Sequence, residues 1–355
     1  LAPPPAVGAK PAQHVQLVPV PFQYIRKQVI GVLLAAVFCL VASRVNLDYL
    51  RRYVWVIVGG CVLLLVLVAI PGVGNRVNGS RRWLGPPGGG AVQVSELAKL
   101  GFVFFMAHYL ALNQTRVGEF KRGFLIPLGI VGAFALLLAA EPDFGMAALY
   151  VAVGVAMLAL AGAKKRYLVS AILVPVLALA ALVATNENRR ARLKKFWEET
   201  PYQIEQAQIA FAAGGVDGVG LGQGRQQLSY LPEAHTDMIF AVVGEELGLA
   251  FTLGVVGVYV VMLIAGYAHL RRAPNMFQFQ LMAGCLLCIA IQTLVNLLSV
   301  TGVIPPKGMS LPFISAGLSN LLLMGLLLGV ILNTQRTWGR AALPGGTGRL
   351  REVTA

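Results

Sequence analysis

The chain of 355 residues is 57% hydrophobic and only 12% charged, with a mean hydropathy of +0.72, whereas a typical soluble domain has about 25% charged residues. This composition excludes a soluble globular domain and predicts an all-α, polytopic transmembrane helical bundle. The formal net charge of +14 fits basic loops that face anionic lipid head groups, and we expect no nucleic-acid partner.

Nine apolar segments follow one another along the chain, most of them near the roughly 20 residues that a helix needs to cross a bilayer. We therefore predict nine transmembrane helices in one integral membrane domain over residues 1–355. The segments are residues 27–43, 53–71, 96–112, 124–140, 144–162, 167–184, 238–267, 276–300 and 317–333.

The segment before the first predicted helix contains neither a signal peptide nor an apolar run that could span a membrane. The first residue is Leu1. Both features favour an additional helix upstream, which would make ten.

The distribution of Lys and Arg among the loops predicts the orientation, because short loops rich in these residues stay in the cytoplasm. The predicted outer side has the Gly/Pro-rich segment 72–95, the turn at 141–143, the long loop 185–237 and the loop 301–316. The tail 334–355 is predicted to be cytoplasmic. The basic residues of the predicted cytoplasmic loops are Arg44, Arg51, Arg52, Arg116, Lys121, Arg122, Lys164, Lys165, Arg166, Arg271 and Arg272.

Several cations lie in the predicted outer segments, where the preference of Lys and Arg for cytoplasmic loops does not explain them. They suggest an anionic ligand on the outer side. These cations are Arg76, Arg81, Arg82, the cluster at 189–195, Arg225 and Lys307. The glycine-rich stretch 214–224 in the long loop has the spacing of a dinucleotide motif by chance, since no βαβ unit surrounds it. We interpret this stretch as a flexible loop.

Charged residues at membrane depth are costly unless they are paired or hydrated. Glu96 and Lys99 are three residues apart on one helix face, which favours either an intrahelical ion pair or the charged lining of a cavity that opens to the outside. Glu141 and Asp143 flank Pro142 at a predicted outer turn. They are either solvated carboxylates at a helix end or, for Asp143, a contact to a ligand.

The stretch "LPEAHTDMIFAVVGEELG" combines acidic residues with the start of a long apolar run. Glu233, His235 and Asp237 precede the run, and Glu245 and Glu246 lie inside it. An unbroken helix would place Glu245 about 80° from Asp237 around its axis. Glu245 is therefore a candidate for the same cavity, with a structural pairing as the alternative.

Five stretches together resemble the SEDS family of FtsW, RodA and SpoVE in order and spacing. They are "NGSRRWLG", "VQVSELAKL", "EPDFG", "LPEAHTDMIFAVVGEELG" and "GVIPPKGMSLPFISAGLSN". The resemblance covers nearly the whole chain, and "PPKGMSLPFIS" looks more like FtsW than RodA. It implies ten transmembrane helices and a cytoplasmic N-terminus.

The resemblance also implies a function. Members of the family are inverting glycosyltransferases that polymerise lipid II into peptidoglycan strands at the outer face of the bacterial cytoplasmic membrane. They act in cell division or elongation with a class b penicillin-binding protein, a transpeptidase, and other membrane proteins of the same machinery.

By match to the family's motif, Asp237 takes the place of its essential loop aspartate, the general base that takes the proton of the acceptor sugar's 4-hydroxyl. A pyrophosphate leaving group departs without protonation, so a second carboxylate is dispensable and positive charge is needed instead. The candidate cations are Arg81, Arg82, Arg192, Lys194, Lys195 and Lys307. The other candidate substrate contacts are Glu96, Lys99, Asp143, Glu233, His235, Glu245, Ser310 and Ser315.

No metal ligand is assigned from the sequence. A divalent cation, Mg²⁺ or Mn²⁺, is the alternative source of positive charge, with Asp143 and Asp237 as its candidate contacts.

Two other classes of function stay open at the level of sequence, because one fold can host several functions. A lipid II flippase would use the same polar cavity to move the head group and would keep transport after loss of the Asp237 carboxylate. A non-catalytic scaffold of the division or elongation machinery would tolerate Asp237→Asn without effect.

Overall fold

The computed structural model describes residues 21–70, 72–77, 80–85, 92–184, 187, 190 and 200–341. The described part is mostly helical. Its α-helices are α1 (Pro21–Ala42), α2 (Leu47–Arg51), α3 (Val54–Ala69), α4 (Val94–Leu112), α5 (Ile126–Ala140), α6 (Phe144–Leu160), α7 (Lys165–Ala184), α8 (Tyr202–Gly214), α9 (Gln226–Ser229), α10 (Ile239–Leu270), α11 (Met276–Val300) and α12 (Leu318–Ala341).

Each of the nine predicted spans coincides with one of these helices, which confirms the all-α, polytopic fold class. Within the described residues, six spans are long and apolar enough to cross a membrane by length and composition, and α3 and α6 are shorter apolar helices. A π-helical turn, Lys121–Leu125, continues into α5 and belongs to the same span. The six long spans are Ile25–Ala42, Val94–Leu112, Lys121–Ala140, Ile239–Leu270, Met276–Val300 and Leu318–Trp338.

The core lies between α4, α5, α6 and α11, where small residues let the helices approach closely. A Cβ added to Gly154 of α6 would lie 2.5 Å from Val131 of α5, and one added to Gly284 of α11 would lie 2.4 Å from Val103 of α4. The Phe102 ring packs against Tyr150 with centroids 4.9 Å apart. By contrast, much of α1 and α10 is exposed and apolar, as lipid-facing helices are.

The predicted outer segment 72–95 contains regular structure that the sequence did not reveal. Three short antiparallel strands, β1 (Asn75–Val77), β2 (Ser80–Leu84) and β3 (Val92–Gln93), form a sheet in the order β1-β2-β3. β3 leads directly into α4, so the sheet sits on the end of a core helix and carries Arg81 and Arg82 there.

The predicted long loop 185–237 is partly helical, because α8 and α9 lie in its described part. The described residues of the predicted tail 334–355 also differ from a loop, since α12 continues to Ala341. Residues 342–355 lie outside the described part.

The glycine-rich stretch is not the flexible loop that we predicted, since it closes a break in α10. Gly248 has φ 76° and ψ −178° inside that helix, so the helical hydrogen bonds are interrupted there. Backbone N–H groups of Val219 and Gly220 donate to the carbonyls of Glu245 (2.9 Å) and Glu246 (3.0 Å). These bonds satisfy carbonyls that the break would otherwise leave without partners.

Gly248→Ala is expected to destabilise the fold. The backbone conformation of Gly248 is essentially restricted to glycine and costs another residue about 1–3 kcal/mol. An added Cβ would also lie 2.3 Å from the carbonyl oxygen of Val216. Thermal unfolding in detergent should show a lower midpoint for Gly248→Ala. Gly254→Ala on the same helix, whose added Cβ would have nothing within 4 Å, should equal or exceed the wild type. Equal midpoints for both variants would contradict the prediction that Ala at position 248 strains the backbone.

Candidate functional site

Four of the segments that were predicted on the outer side meet at one end of the bundle. They are the small sheet, the turn 141–143, the segment 230–238 before α10 and the loop 301–317. Arg82 of the sheet binds Asp143 of the turn. The backbone N–H of Ala316 donates to the carbonyl of His235 at 2.9 Å. A Cβ added to Gly145, just beyond the turn, would lie 3.6 Å from Met309.

Asp237 is the last acidic residue before α10, and its backbone carbonyl is held by Asn296 of α11. The side-chain amide of Asn296 donates to the carbonyl oxygens of Asp237 (2.8 Å) and Met309 (2.7 Å). The carboxylate lies against Gly308, where an added Cβ would be 3.3 Å from Oδ2. Asn296 of α11 therefore ties the Asp237 segment to the loop 301–317.

Ser315 forms a second tie between the same two loops. Its hydroxyl donates to the carbonyl of Thr236 (2.6 Å) and accepts from the backbone N–H of Leu311 (2.7 Å). The hydroxyl is thus used within the protein, and Ser315 is fully buried.

The surroundings of Asp237 raise its pKa from 3.8 to about 7. Burial is the largest cause, and the like charge of Glu233 adds to it, whereas the positive charge of Arg82 opposes it. Glu96 and Asp143 contribute smaller increases. A half-buried carboxylate that titrates near neutral pH has the property that a general base requires.

Arg82 and Asp143 form an ion pair, with Nη1 and Oδ2 3.0 Å apart. Asp143 is 4% exposed, and its other oxygen accepts from the backbone N–H of Met146 at 3.2 Å, which caps α6. The side-chain amide of Gln93 also donates to Oδ2, at 3.3 Å. Asp143 is therefore a buried, fully engaged anchor that fixes Arg82 at the site.

Glu96 and Lys99 form the intrahelical ion pair that the spacing allows, with a distance of 2.7 Å. Lys99 Nζ also donates to Gln292 at 2.6 Å. The amide of Gln292 in turn donates to the carbonyl of Ser310 (2.9 Å) and to Asn320 (3.1 Å). The pair is thus connected through α11 to the loop that lies against Asp237.

The turn 141–143 does not hold solvated carboxylates, so that alternative is wrong. Glu141 is 1% exposed, and Asp143 is almost equally buried. The structure gives Asp143 an ion-pair partner, while neither side-chain oxygen of Glu141 has a hydrogen-bond partner among the described residues.

Some predicted site residues have other contacts. Glu245 accepts from the backbone N–H groups of Arg225 (2.8 Å) and Gln226 (3.3 and 3.2 Å), so its carboxylate has a structural role and caps α9, although through backbone groups and not through the Lys, Arg or Asn side chain that the structural alternative predicted. Glu246 accepts from the side-chain amide of Gln227 at 2.5 Å. The partners of Glu245 separate it from the role of a free cavity acid.

Among the remaining candidates, Lys307 is exposed, and its backbone N–H donates to Ser299 at 3.1 Å. Arg81 is half-buried and stands opposite Arg76 in the sheet. Glu233 and His235 lie on the Asp237 segment, where Glu233 accepts from Thr236 at 2.8 Å. Arg192, Lys194 and Lys195 lie outside the described residues.

Backbone strain marks three of the loops that form the site. Among the residues that the structure describes, the non-glycine residues with positive φ are Pro142 (33°), Glu233 (55°) and Phe313 (65°). One lies in the turn, one in the Asp237 segment and one in the loop 301–317. Such strain is concentrated at functional sites, and nothing in a single sequence reveals it.

The residues that the structure describes contain no group of three or more His, Cys, Asp or Glu side chains that could hold a metal ion. Asp143 is occupied by Arg82 and by the start of α6. The described residues therefore do not fit a site at which three or more of these side chains hold Mg²⁺ or Mn²⁺.

Comparison with known proteins gives concordant matches. Residues 8–338 match the cell cycle protein family of FtsW, RodA and SpoVE. The chain is 38% identical over 327 residues to the "Probable peptidoglycan glycosyltransferase FtsW" of Legionella pneumophila, which covers 88% of this chain and 81% of that protein.

Solved structures share the fold. The rod shape determining protein RodA of Thermus thermophilus superposes with a TM-score of 0.68 at 25% identity, covering 90% of this chain and 89% of that one. A chain of a peptidoglycan synthase complex that coordinates polymerization and crosslinking superposes with a TM-score of 0.74 at 24% identity, covering 90% and 91%.

Proposed function

The chain belongs to the FtsW, RodA and SpoVE family, and on this premise we propose how it acts as a peptidoglycan glycosyltransferase. Its substrate is lipid II, the disaccharide pentapeptide carried on undecaprenyl pyrophosphate. The enzyme joins one such head group to the next, releases the lipid pyrophosphate and inverts the configuration of the anomeric carbon.

Asp237 is the general base of this reaction. Its carboxylate takes the proton of the acceptor 4-hydroxyl as that oxygen forms the new bond to the anomeric carbon of the donor. The bond from the same carbon to the pyrophosphate oxygen breaks, and its electron pair leaves with the pyrophosphate. The single observation that carries this role is the placement of Asp237. The residue is half-buried, and Asn296 ties its segment to the loop 301–317.

Arg82 supplies positive charge for the departing pyrophosphate. It is the cation whose field reaches Asp237, and the buried Asp143 carboxylate fixes one of its nitrogens at 3.0 Å. A prearranged cation stabilises charge that develops in the transition state without a cost of reorganisation at that moment. Arg82 thus has the place and the charge that a leaving pyrophosphate requires.

The protein resides in the bacterial cytoplasmic membrane with this site on the outer face. Two features support this orientation. The short loops that alternate with these four segments along the chain carry more Lys and Arg than the segments themselves, which marks those loops as cytoplasmic, and the four segments gather at one end of the bundle. The peptidoglycan synthase complex with the same fold supports a class b penicillin-binding protein as the partner that crosslinks the strands, within the machinery of division or elongation.

The rate of strand synthesis should rise with pH through about 7. The base acts only when ionised, and the pKa of Asp237 is raised to about 7, so at pH 6 about a tenth of the enzyme has the active form. The measurement is kcat/KM for purified lipid II against pH, with the full-length protein and its partner. Glu233→Gln removes a like charge and should move the rise to lower pH.

Two results would contradict this assignment. One is a rate that is independent of pH from 5 to 8, and the other is a rise that Glu233→Gln leaves in place. Transport of head groups by an enzyme that makes no strands would instead favour the flippase.

A further inference from the structure

Glu141 is a buried acid to which the reaction above gives no role. It lies one residue beyond the end of α5 and is 1% exposed. Neither Oε1 nor Oε2 has a hydrogen-bond partner among the residues that the structure describes. Buried carboxylates are almost always paired, because an isolated negative charge is strongly unfavourable away from water. An unpaired, buried Glu141 therefore requires an explanation.

The charges around Glu141 make the neutral acid the favourable form. Asp143 follows it in the turn and repels its anion, while Arg82 of β2 attracts it. Asp237 and Glu96 add two further acids to the same site. Lys99 is engaged by Glu96 and Gln292. Burial is the largest cause of the change, and the pKa of Glu141 is raised to about 8.

Arg82 is the cation for which Glu141 and Asp143 compete. One nitrogen of the guanidinium is on Asp143, but its Nε is buried and has no acceptor among the described residues. An ionised Glu141 would attract that free donor and pull the guanidinium away from Asp143. A protonated Glu141 carries no charge and leaves the Arg82–Asp143 pair intact.

We propose that Glu141 is a positioning residue that works as a protonated acid and thereby keeps Arg82 on Asp143, directed at the pyrophosphate. This inference rests on the proposed function for the role of Arg82, but the protonated state of Glu141 does not. The two parts can therefore be tested separately.

Infrared difference spectroscopy on the full-length protein tests the protonated state without any substrate. The comparison is Asp237→Asn against the double variant Asp237→Asn/Glu141→Gln, because the first substitution removes the signal of the base itself. At pH 7 the single variant should show the C=O stretch of a buried carboxylic acid, shifted in heavy water, and the double variant should lack that band. Identical spectra would overturn the proposal.

The pH dependence of strand synthesis tests the positioning role. Glu141→Gln has the shape of the neutral acid, so its kcat/KM at pH 7 should stay within about twofold of the wild type. At pH 9 only about a tenth of Glu141 with a pKa near 8 keeps its proton. The wild type should then be about sixfold below its optimum between pH 7 and 8, whereas Glu141→Gln should not fall. A parallel fall in both proteins would overturn the positioning role.

Protein stability provides a further readout that does not depend on activity. Between the ordinary pKa of Glu, 4.5, and about 8, the folded chain holds one more proton than the unfolded chain. The free energy of unfolding of the wild type therefore decreases as pH rises through this window. Glu141→Gln should lack that part of the decrease. If wild-type protein makes no strands at any pH, the proposed function fails while the infrared and stability results still decide the state of Glu141.

Discussion

Asp237→Asn should abolish strand synthesis while leaving the protein folded. A positioned general base contributes about 10²–10⁴-fold to a rate, and an amide of the same shape cannot take the proton of the acceptor hydroxyl. The fold should not suffer, because the substitution removes a carboxylate whose charge is disfavoured by burial and by Glu233. The backbone carbonyl that accepts from Asn296 remains in place.

The measurement is gel separation of glycan strands made from purified lipid II by the full-length protein with its partner. Asp217→Asn is the matched control, since it makes the same chemical change on an exposed loop residue and should keep the wild-type rate. Thermal unfolding of both variants should match the wild type. Strands from Asp237→Asn at the wild-type rate would remove Asp237 from the chemistry, and a scaffold would then be the better account.

The sequence predicted those parts of the structure that depend on local pattern. Apolar runs located nine helices of the described structure, six of them long and apolar enough to cross a membrane, since each run reflects the exclusion of polar groups from lipid. The spacing of Glu96 and Lys99 gave their ion pair as one of two alternatives, and the structure contains it. α8 was missed because it lies in a segment that was treated as a loop, although Ile204, Ala207, Ala210 and Gly214 are buried and repeat every three or four residues.

The arrangement of the site itself could not be obtained from the sequence. Arg82 and Asp143 are 61 residues apart in the chain, and several outer cations competed equally for that role. The burial of Glu141 depends on tertiary packing, which a single sequence does not reveal. The simple helical projection from Asp237 to Glu245 does not apply, because α10 begins at Ile239, beyond Asp237, and Glu245 caps α9 instead. Long-range contacts of this kind decide which acids are free to act.

Lys99→Met should produce the largest loss of stability among the substitutions considered. Lys99 is 1% exposed, and its ammonium contacts both Glu96 and Gln292. Removal of one partner leaves a buried, uncompensated charge, which costs about 3–5 kcal/mol. The free energy of unfolding in detergent should fall by about that amount. Lys121→Met, at an exposed lysine, is the matched control and should change it little.

The double variant Glu96→Gln/Lys99→Met shows how much of the lost stability comes from the buried charge and how much from packing. Neutral groups of similar shape remove the uncompensated charge, so most of the lost stability should return. If the double variant is as unstable as Lys99→Met, the loss comes from packing or from the Gln292 hydrogen bond. A double variant that recovers its stability but makes strands slowly would indicate that the ion pair supports the site. The connection is the series of hydrogen bonds from Lys99 through Gln292 to the carbonyl of Ser310, which lies on the loop that contacts Asp237.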